Sequence, residues 1–252
     1  MRFTVATYNI HKGLTQLNRR VIIHELRERL HGLSVDVLFL QEVVGVHYGH
    51  AARHVDWPLK AQHEFIAGTV WGEVAYGKNA ISRHGHHGNA LLSRFPIVFE
   101  ENLDISAHVF ESRGLLHCTL DLGEGEPPLH CLNVHLGLFE RGRRQQLRAV
   151  CERIRRTVPM DAPLLIAGDF NDWRHKGNRL LIDELGVVEA FEVVRGRPAR
   201  TFPSVMPVFR LDRIYVRGLS IVDASVLYAL PWDRISDHAA LAATFDTAWK
   251  RR

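Results

Sequence analysis

Apolar positions in this chain fall into short, dense runs, and the runs end abruptly in acids, amides and histidines. Phe3 to Ile10, Val35 to Gln41, Ala90 to Ser93, Ile97 to Glu100, Leu115 to Leu120, Leu129 to Leu136 and Pro163 to Ala167 predict β-strands, several of them continuous apolar runs. A continuous run implies a strand covered on both faces. Between the first two strands, residues 18–33 carry apolar side chains at 23, 26, 30 and 33, a spacing of three and four that predicts a helix capped by Asn18. A second helix is expected over about residues 141–158. Its stripe of Leu147, Val150, Cys151, Ile154 and Val158 would pack inward, with Arg143, Arg144, Arg148, Arg155 and Arg156 facing elsewhere. A third spans Asn178 to Leu185 and stops at Gly186. Residues 45–87, rich in His, Gly and aromatic residues, predict long surface loops.

Strands joined partly by helices and partly by tight turns, such as residues 123–128, predict an α/β fold of two packed mixed sheets with helices outside. No linker or charge block divides residues 1–252, so one domain is expected. With 46% hydrophobic and 24% charged residues the chain can bury a large core, which excludes a disordered protein. A net charge of +4 and a pI near 9.1 suit a polyanionic partner, either nucleic acid or an anionic lipid surface. The N-terminus enters strand pattern at once, and no run of 18 apolar residues follows, so no transmembrane segment and a cytoplasmic location are expected. The three cysteines, Cys118, Cys131 and Cys151, lack Cys-x-x-Cys spacing and read as reduced core residues. Cys118 and Cys131 would face each other across a hairpin turning at residues 123–126.

The polar ends of the strands carry the chemistry. Gly168-Asp169-Phe170-Asn171 follows the apolar run Leu164 to Ala167, and an acid and an amide two apart point to one face of the pleat. Both can reach one phosphate and one attacking water. The first strand ends in Asn9-Ile10-His11 and the second in Gln41-Glu42, a carboxylate and an amide oxygen of the kind a magnesium ion needs. Asn133 and His135 share a strand face. Asp212, inside an apolar alternation, is costly unless partnered, and His238 is an available partner. An imidazole of ordinary pKa near 6.5 can give or take a proton at neutral pH, which suits His135 and His238 to phosphate chemistry.

Tyr8-Asn9-Ile10-His11, Leu40-Gln41-Glu42, residues 88–93, Asn133-Val134-His135-Leu136, residues 168–171, Leu211-Asp212-Arg213-Ile214 and Ser236-Asp237-His238 occur in the order found in the endonuclease/exonuclease/phosphatase superfamily. The chain resembles that superfamily from about residue 3 to 245. The resemblance implies a four-layered α/β sandwich and a Mg²⁺ site, with Mn²⁺ as a substitute, held by Asn9, Glu42 and Asp237. It implies that Asp169 orients or deprotonates the attacking water, that Asn171 holds it or a phosphate oxygen, and that His238, oriented by Asp212, contacts the phosphate. His135 either protonates the leaving oxygen or binds phosphate. Arg113, Asn133, His11 and Asn89 are the candidate substrate contacts, joined as open candidates by His84, His86 and His87. His11 stands where abasic-site endonucleases carry an acid, which argues against close kinship with them, and Ala239 replaces a common proline. Trp57, Trp71, Tyr76 and Trp232 offer stacking surface without an assigned role.

The expected activity is Mg²⁺-dependent hydrolysis of phosphodiesters by in-line water attack in a monomer, with nucleic acid as the first substrate. The alternatives are a phospholipid or sphingomyelinase-like phosphodiesterase and a phosphoinositide phosphatase. A reading of another class is a catalytically silent binding module. Against it stands the intact set of Glu42, Asp169, Asn171, Asp212, Asp237 and His238.

Overall fold

Alternate residues of one apolar run serve different cores, and this produces the layers. The computed structural model describes residues 1–15, 20–174, 176–228 and 232–247. Its strands are β1 (Arg2–Asn9), β2 (Val37–His47), β3 (Glu73–Ser82), β4 (Gly85–Ser93), β5 (Ile97–Asp104), β6 (Gly114–Leu120), β7 (Leu129–His135), β8 (Leu164–Asp169), β9 (Val188–Glu189), β10 (Asp212–Arg217), β11 (Ser220–Leu227) and β12 (Ala240–Asp246). They make two six-stranded sheets, ordered β11-β12-β1-β2-β4-β3 and β5-β6-β7-β8-β10-β9. Phe39 packs between the sheets with Val5, Leu116, Leu165 and Ile214. Its neighbours Leu38 and Leu40 point the other way, beneath α1 (Ile23–His31) and α3 (Gln62–Ala67), with Leu26, Leu30 and Ile66. Leu132, Val134 and Ile166 likewise meet Leu147, Val150, Ile154 and Leu181 of α4 (Glu140–Thr157) and α5 (Asn178–Leu185). Short helices α2 (Tyr48–Arg53) and α6 (Ala190–Arg195) complete the four-layered α/β sandwich. No helix of the described residues is long and apolar enough to cross a membrane.

Three sequence expectations change. Helix α1 starts at Ile23 without a side-chain cap, and Asn18, the expected cap, lies outside the described residues. Residues 45–87 are not long loops: β2 continues to His47, α2 and α3 follow, and β3 pairs with β4 in a hairpin. Strand β3 lies at a sheet edge, so it needs no apolar run, and its polar residues hide the strand signal. Arg143 is buried rather than facing outward: its Nη1 donates to the carbonyls of Gly137 (3.1 Å) and Leu138 (2.7 Å), and its Nη2 lies 3.7 Å from Asp172 Oδ1. The loop after β7 offers carbonyls with no strand to satisfy them, and the guanidinium does so. Cys118 and Cys131 stand opposite each other in the β6–β7 register, buried and as free thiols.

In each sheet one pair, β1–β2 and β7–β8, runs parallel, so four strands finish on one edge of the sandwich. Near that edge the space between the sheets turns polar. The β2–β4 ladder shifts register between Leu40 and Val43, and there the Asn133 amide donates to the carbonyls of Leu40 (3.0 Å) and Ala90 (2.8 Å). Its Oδ1 accepts from Gln41 Nε2 at 2.8 Å. Asn133 thus clasps the two sheets together and is fully buried. Asn133→Ala strands several buried polar groups and is expected to lower unfolding free energy by roughly 2–4 kcal/mol. Urea denaturation of the wild type and variant measures this, and an unchanged midpoint would contradict the clasp.

Candidate active site

The edge where the parallel strands finish gathers the expected residues. Asp169 ends β8 and is 1% exposed. Gly168 precedes it at φ 143°, where a Cβ would stand 2.0 Å from the carbonyl oxygen of Val134, so only glycine lets β8 approach β7 this closely. Asp169 Oδ1 accepts from the backbone N–H of Asn171 (2.9 Å), and Oδ2 accepts from Asn9 Nδ2 (3.2 Å). His135 Nε2 lies 3.4 Å and His238 Nε2 3.8 Å from the same Oδ2. Asn171 is fixed in turn by donating Nδ2 to the carbonyl of Leu136 at 2.9 Å. On β10, Asp212 stands opposite Asp169 in register, and His238 Nδ1 donates to its Oδ2 at 2.9 Å. The loop bearing His238 is tied to β1 by Ser236 Oγ, which donates to the Asn9 carbonyl at 2.7 Å.

Beside these groups a small recess is lined by Glu42, His87, Asn89, Arg113 and His135. Arg113 Nη1 donates to His135 Nε2 at 3.2 Å, which assigns the ring proton to Nδ1. Arg113 Nε lies 3.8 Å from Glu111 Oε1, and Glu111 Oε2 accepts from Gln146 Nε2 at 2.6 Å. Asn89 donates Nδ2 to the Gly114 carbonyl at 3.0 Å, on the strand that follows Arg113. His11 Nδ1 lies 3.4 Å from Asp237 Oδ1, and its backbone N–H donates to Asn9 Oδ1 at 3.1 Å. A second recess, lined by Lys12, His47, His50, His86 and His87, adjoins the first through His87. His84 is exposed on the hairpin turn, stacked near His47 with ring centroids 6.4 Å apart. Asn133 is withdrawn behind the site, its amide committed to the clasp, and Asn89 is buried beside it with Nδ2 also donating to the Asn133 carbonyl at 3.4 Å.

Charge is arranged with care. Burial pushes Asp169 above the ordinary carboxylate range against the pull of His238. Burial works against a charge on His238, but Asp212 and Asp169 outweigh it and hold the imidazole protonated well above its ordinary value. Burial, then the Arg113 charge, pushes His135 down to about 3, so this ring is neutral. Burial also opposes the charge on Glu42, yet His135, Lys12, His11 and His238 hold its carboxyl below the ordinary value. With His135 neutral, its neighbours carry that effect, Lys12 first. Asp169, Asp212 and His238 present ligand atoms within 4.8 Å of one another, a grouping that can hold a cation. In that group the proton on His238 already supplies the positive charge the carboxylates need.

His11 (φ 45°), Lys12 (58°), Glu42 (56°) and Asn171 (49°) are the positive-φ residues other than glycine among the described residues, and all four lie at this edge. Such conformations cost roughly 1–2 kcal/mol each and survive where surrounding contacts enforce them. Sequence alone passed over Glu111, Lys12, Arg143 and Asp172. The available signals were Glu111 two residues before Arg113 and Asp172 directly after Asn171.

Two mixed sheets packed face to face, with acid, amide and imidazole converging on one edge, define a phosphoesterase-type fold. The chain belongs to the endonuclease/exonuclease/phosphatase family, whose model matches residues 6–238. It is 46% identical over 241 residues to YbhP of Escherichia coli K12, covering 96% of this chain and 95% of that protein. Among solved structures it is similar to an endonuclease/exonuclease/phosphatase from Beutenbergia cavernae, with TM-score 0.78 and 19% identity, covering 97% of this chain and 71% of the other. It is also similar to a humanized D. rerio TDP2, with TM-score 0.73 and 21% identity, covering 98% and 99% of the two chains. These structural likenesses show the fold.

Buried and half-buried imidazoles oppose buried carboxylates in the pH response of stability. Burial is the first cause in each case: His50 and His63 are pushed down to about 4, and His117 and His135 to about 3. Unfolding restores values near 6.5, so below that pH the unfolded chain binds more protons and stability falls. His238 acts in the opposite sense, its contribution present below the ordinary imidazole value and lost as the solution becomes alkaline. Asp169 and Glu189, pushed up to about 7 by burial, act in the same sense as His238, because the folded chain holds protons there that the unfolded chain releases. One substitution isolates the opposing set: the urea midpoint of His63→Gln relative to the wild type is expected to be higher at about pH 5 than at about pH 7.5. An equal offset between the variant and the wild type at the two pH values would refute this account.

Proposed function

We propose that this protein is a divalent-cation-dependent phosphodiesterase with Asp169 as the base that activates water. The observation that carries the reading is the surroundings of Asp169. Its carboxylate is buried, raised toward neutrality, fixed by Asn9 and Asn171, and flanked by one neutral and one protonated imidazole. A base is most effective when its pKa lies near the working pH.

Glu42 and Asn9 suit a hard cation because both offer oxygen, and the Glu42 carboxylate accepts no hydrogen bond from the described residues. These two, with Asp237 from the neighbouring loop, would hold Mg²⁺ or Mn²⁺. Such an ion supplies charge neutralisation at the phosphate oxygens when bound. The protein's own groups divide the remaining work. Asp169 Oδ2 takes a proton from water, whose oxygen joins phosphorus as one P–O ester bond breaks. The departing alkoxide leaves as the alcohol with a proton from solvent. Protonated His238, steadied by Asp212, faces the negative charge that builds on the phosphate. Arg113 adds a second positive charge, and neutral His135 binds phosphate rather than donating a proton, because its pKa is too low for an acid at neutral pH. Asn171 and Asn89 position the water and the ester. A reducing, cytoplasmic setting suits the three buried thiols.

The test is hydrolysis of bis-p-nitrophenyl phosphate and p-nitrophenyl phosphate with Mg²⁺ or Mn²⁺. Asp169→Asn is expected to lower kcat by roughly 10²–10⁴, and His238→Gln by a comparable factor. Glu42→Gln should raise the metal concentration needed for half-maximal rate. Absence of hydrolysis with either ion, or an Asp169→Asn enzyme of near wild-type rate, would defeat the proposal.

A further inference from the structure

Four loops rise from the edge that carries the site, and each ends in exposed apolar side chains. The loop before Arg113 presents Phe110 at 95% exposure, and the loop after His135 presents Phe139 at 74%. Trp173 follows Asn171 and is exposed, while a hairpin closed by the pairing of Phe202 with Phe209 presents Met206 at 70%. Monomeric proteins seldom display several large apolar tips together, and when they do the patch marks an interaction surface.

The tips are held together. Gln146 accepts from the Gly137 backbone N–H at 2.8 Å and donates to Glu111 at 2.6 Å, linking the Phe110 and Phe139 loops. Arg143 joins the Phe139 loop to Asp172, next to Trp173. The Trp173 ring meets Phe209 edge to face, with centroids 6.4 Å apart. Ser204 of the hairpin donates its backbone N–H to the Asp237 carbonyl (2.7 Å) and its Oγ to the Ser236 carbonyl (2.6 Å). The arc is therefore braced by the residues that brace the site.

Basic residues accompany the arc. Arg141 and Arg144 are exposed on the first turns of α4, and Arg174 and Lys176 flank Trp173 with Glu140 as their shared acid. Arg197, Arg200 and Arg210 lie close enough for their charges to interact beside the hairpin. Apolar tips with a basic surround match an anionic bilayer, whose headgroup layer takes the charge and whose acyl boundary takes the side chains.

We infer that this face docks on an anionic phospholipid bilayer and that the phosphodiester cleaved is that of a lipid headgroup. The inference rests on the phosphodiesterase reading and names its substrate class. A rigid protein partner or second copy seated on the tips would cover the opening they surround, whereas a bilayer presents headgroup phosphates to it. A nucleic acid backbone gains little from Phe110, Phe139 and Met206.

Flotation of the metal-free protein with vesicles measures docking without catalysis. Binding is expected to vesicles of phosphatidylcholine containing phosphatidylglycerol, weaker to phosphatidylcholine alone, and reduced by salt. Phe110→Ser with Phe139→Ser should weaken binding roughly a hundredfold while kcat/KM on bis-p-nitrophenyl phosphate stays at the wild-type level. Both sites are solvent-facing, and an unchanged thermal midpoint confirms folding. Activity on the soluble diester without vesicle binding overturns the docking inference and leaves the phosphodiesterase reading standing. Vesicle binding without diester hydrolysis does the reverse for that reading. Docking is also overturned if the double variant floats like the wild type, if it instead breaks a dimer seen by gel filtration, or if it loses activity on single-stranded oligonucleotides while vesicles are ignored.

Discussion

The antiparallel register of β8 and β10 sets Asp169 directly opposite Asp212, so two carboxylates, each 1% exposed, lie side by side with little solvent to screen them. Like charges so placed cannot both persist unless a cation joins them. His238 is that cation, and it arrives from the loop before β12, in the other sheet. One imidazolium therefore offsets one of the two acid charges and binds the two sheets at their polar edge, while burial and the facing Asp212 keep the Asp169 carboxyl above its ordinary range. Position, charge and chemistry here have a single origin.

Around that pair the fold spends order on holding unfavourable arrangements. Four residues outside glycine are kept at positive φ at this edge, where Glu42 turns out of its strand at a register shift and Asn171 turns after its own. The Asn133 clasp donates to the carbonyls of Leu40 and Ala90, the last register pair before the shift. Strain at the edge and satisfaction just behind it belong to one design: irregular backbone is tolerated because buried amides complete its hydrogen bonds.

The layers, and the acids, amides and imidazoles that converge on one edge, were legible in the sequence because central strands are covered on both faces and stop sharply at polar groups. Leu164 to Asp169 shows both signals at once. The β3–β4 hairpin was not legible, since an edge strand may carry Lys78, Asn79 and other polar residues without loss. Arg143 escaped because periodicity along a helix says nothing of the loop carbonyls that lie beside it. Asn133 shares a face with His135 as expected, but only the sheet pairing reveals that its hydrogen bonds are already taken. Exposure of Phe110 and Phe139 depends on where loops point, which local pattern does not encode.

Strand β1 pairs with β12, Arg2 standing opposite Asp246, and Ser236 holds the end of β1 in place. Strand β1 thus waits for β12 before its sheet can close, with more than two hundred residues made in between. Asn9 and His238 cannot meet earlier. The candidate site is therefore assembled only after β12 has joined β1, and no stretch of the chain that stops short of β12 contains it.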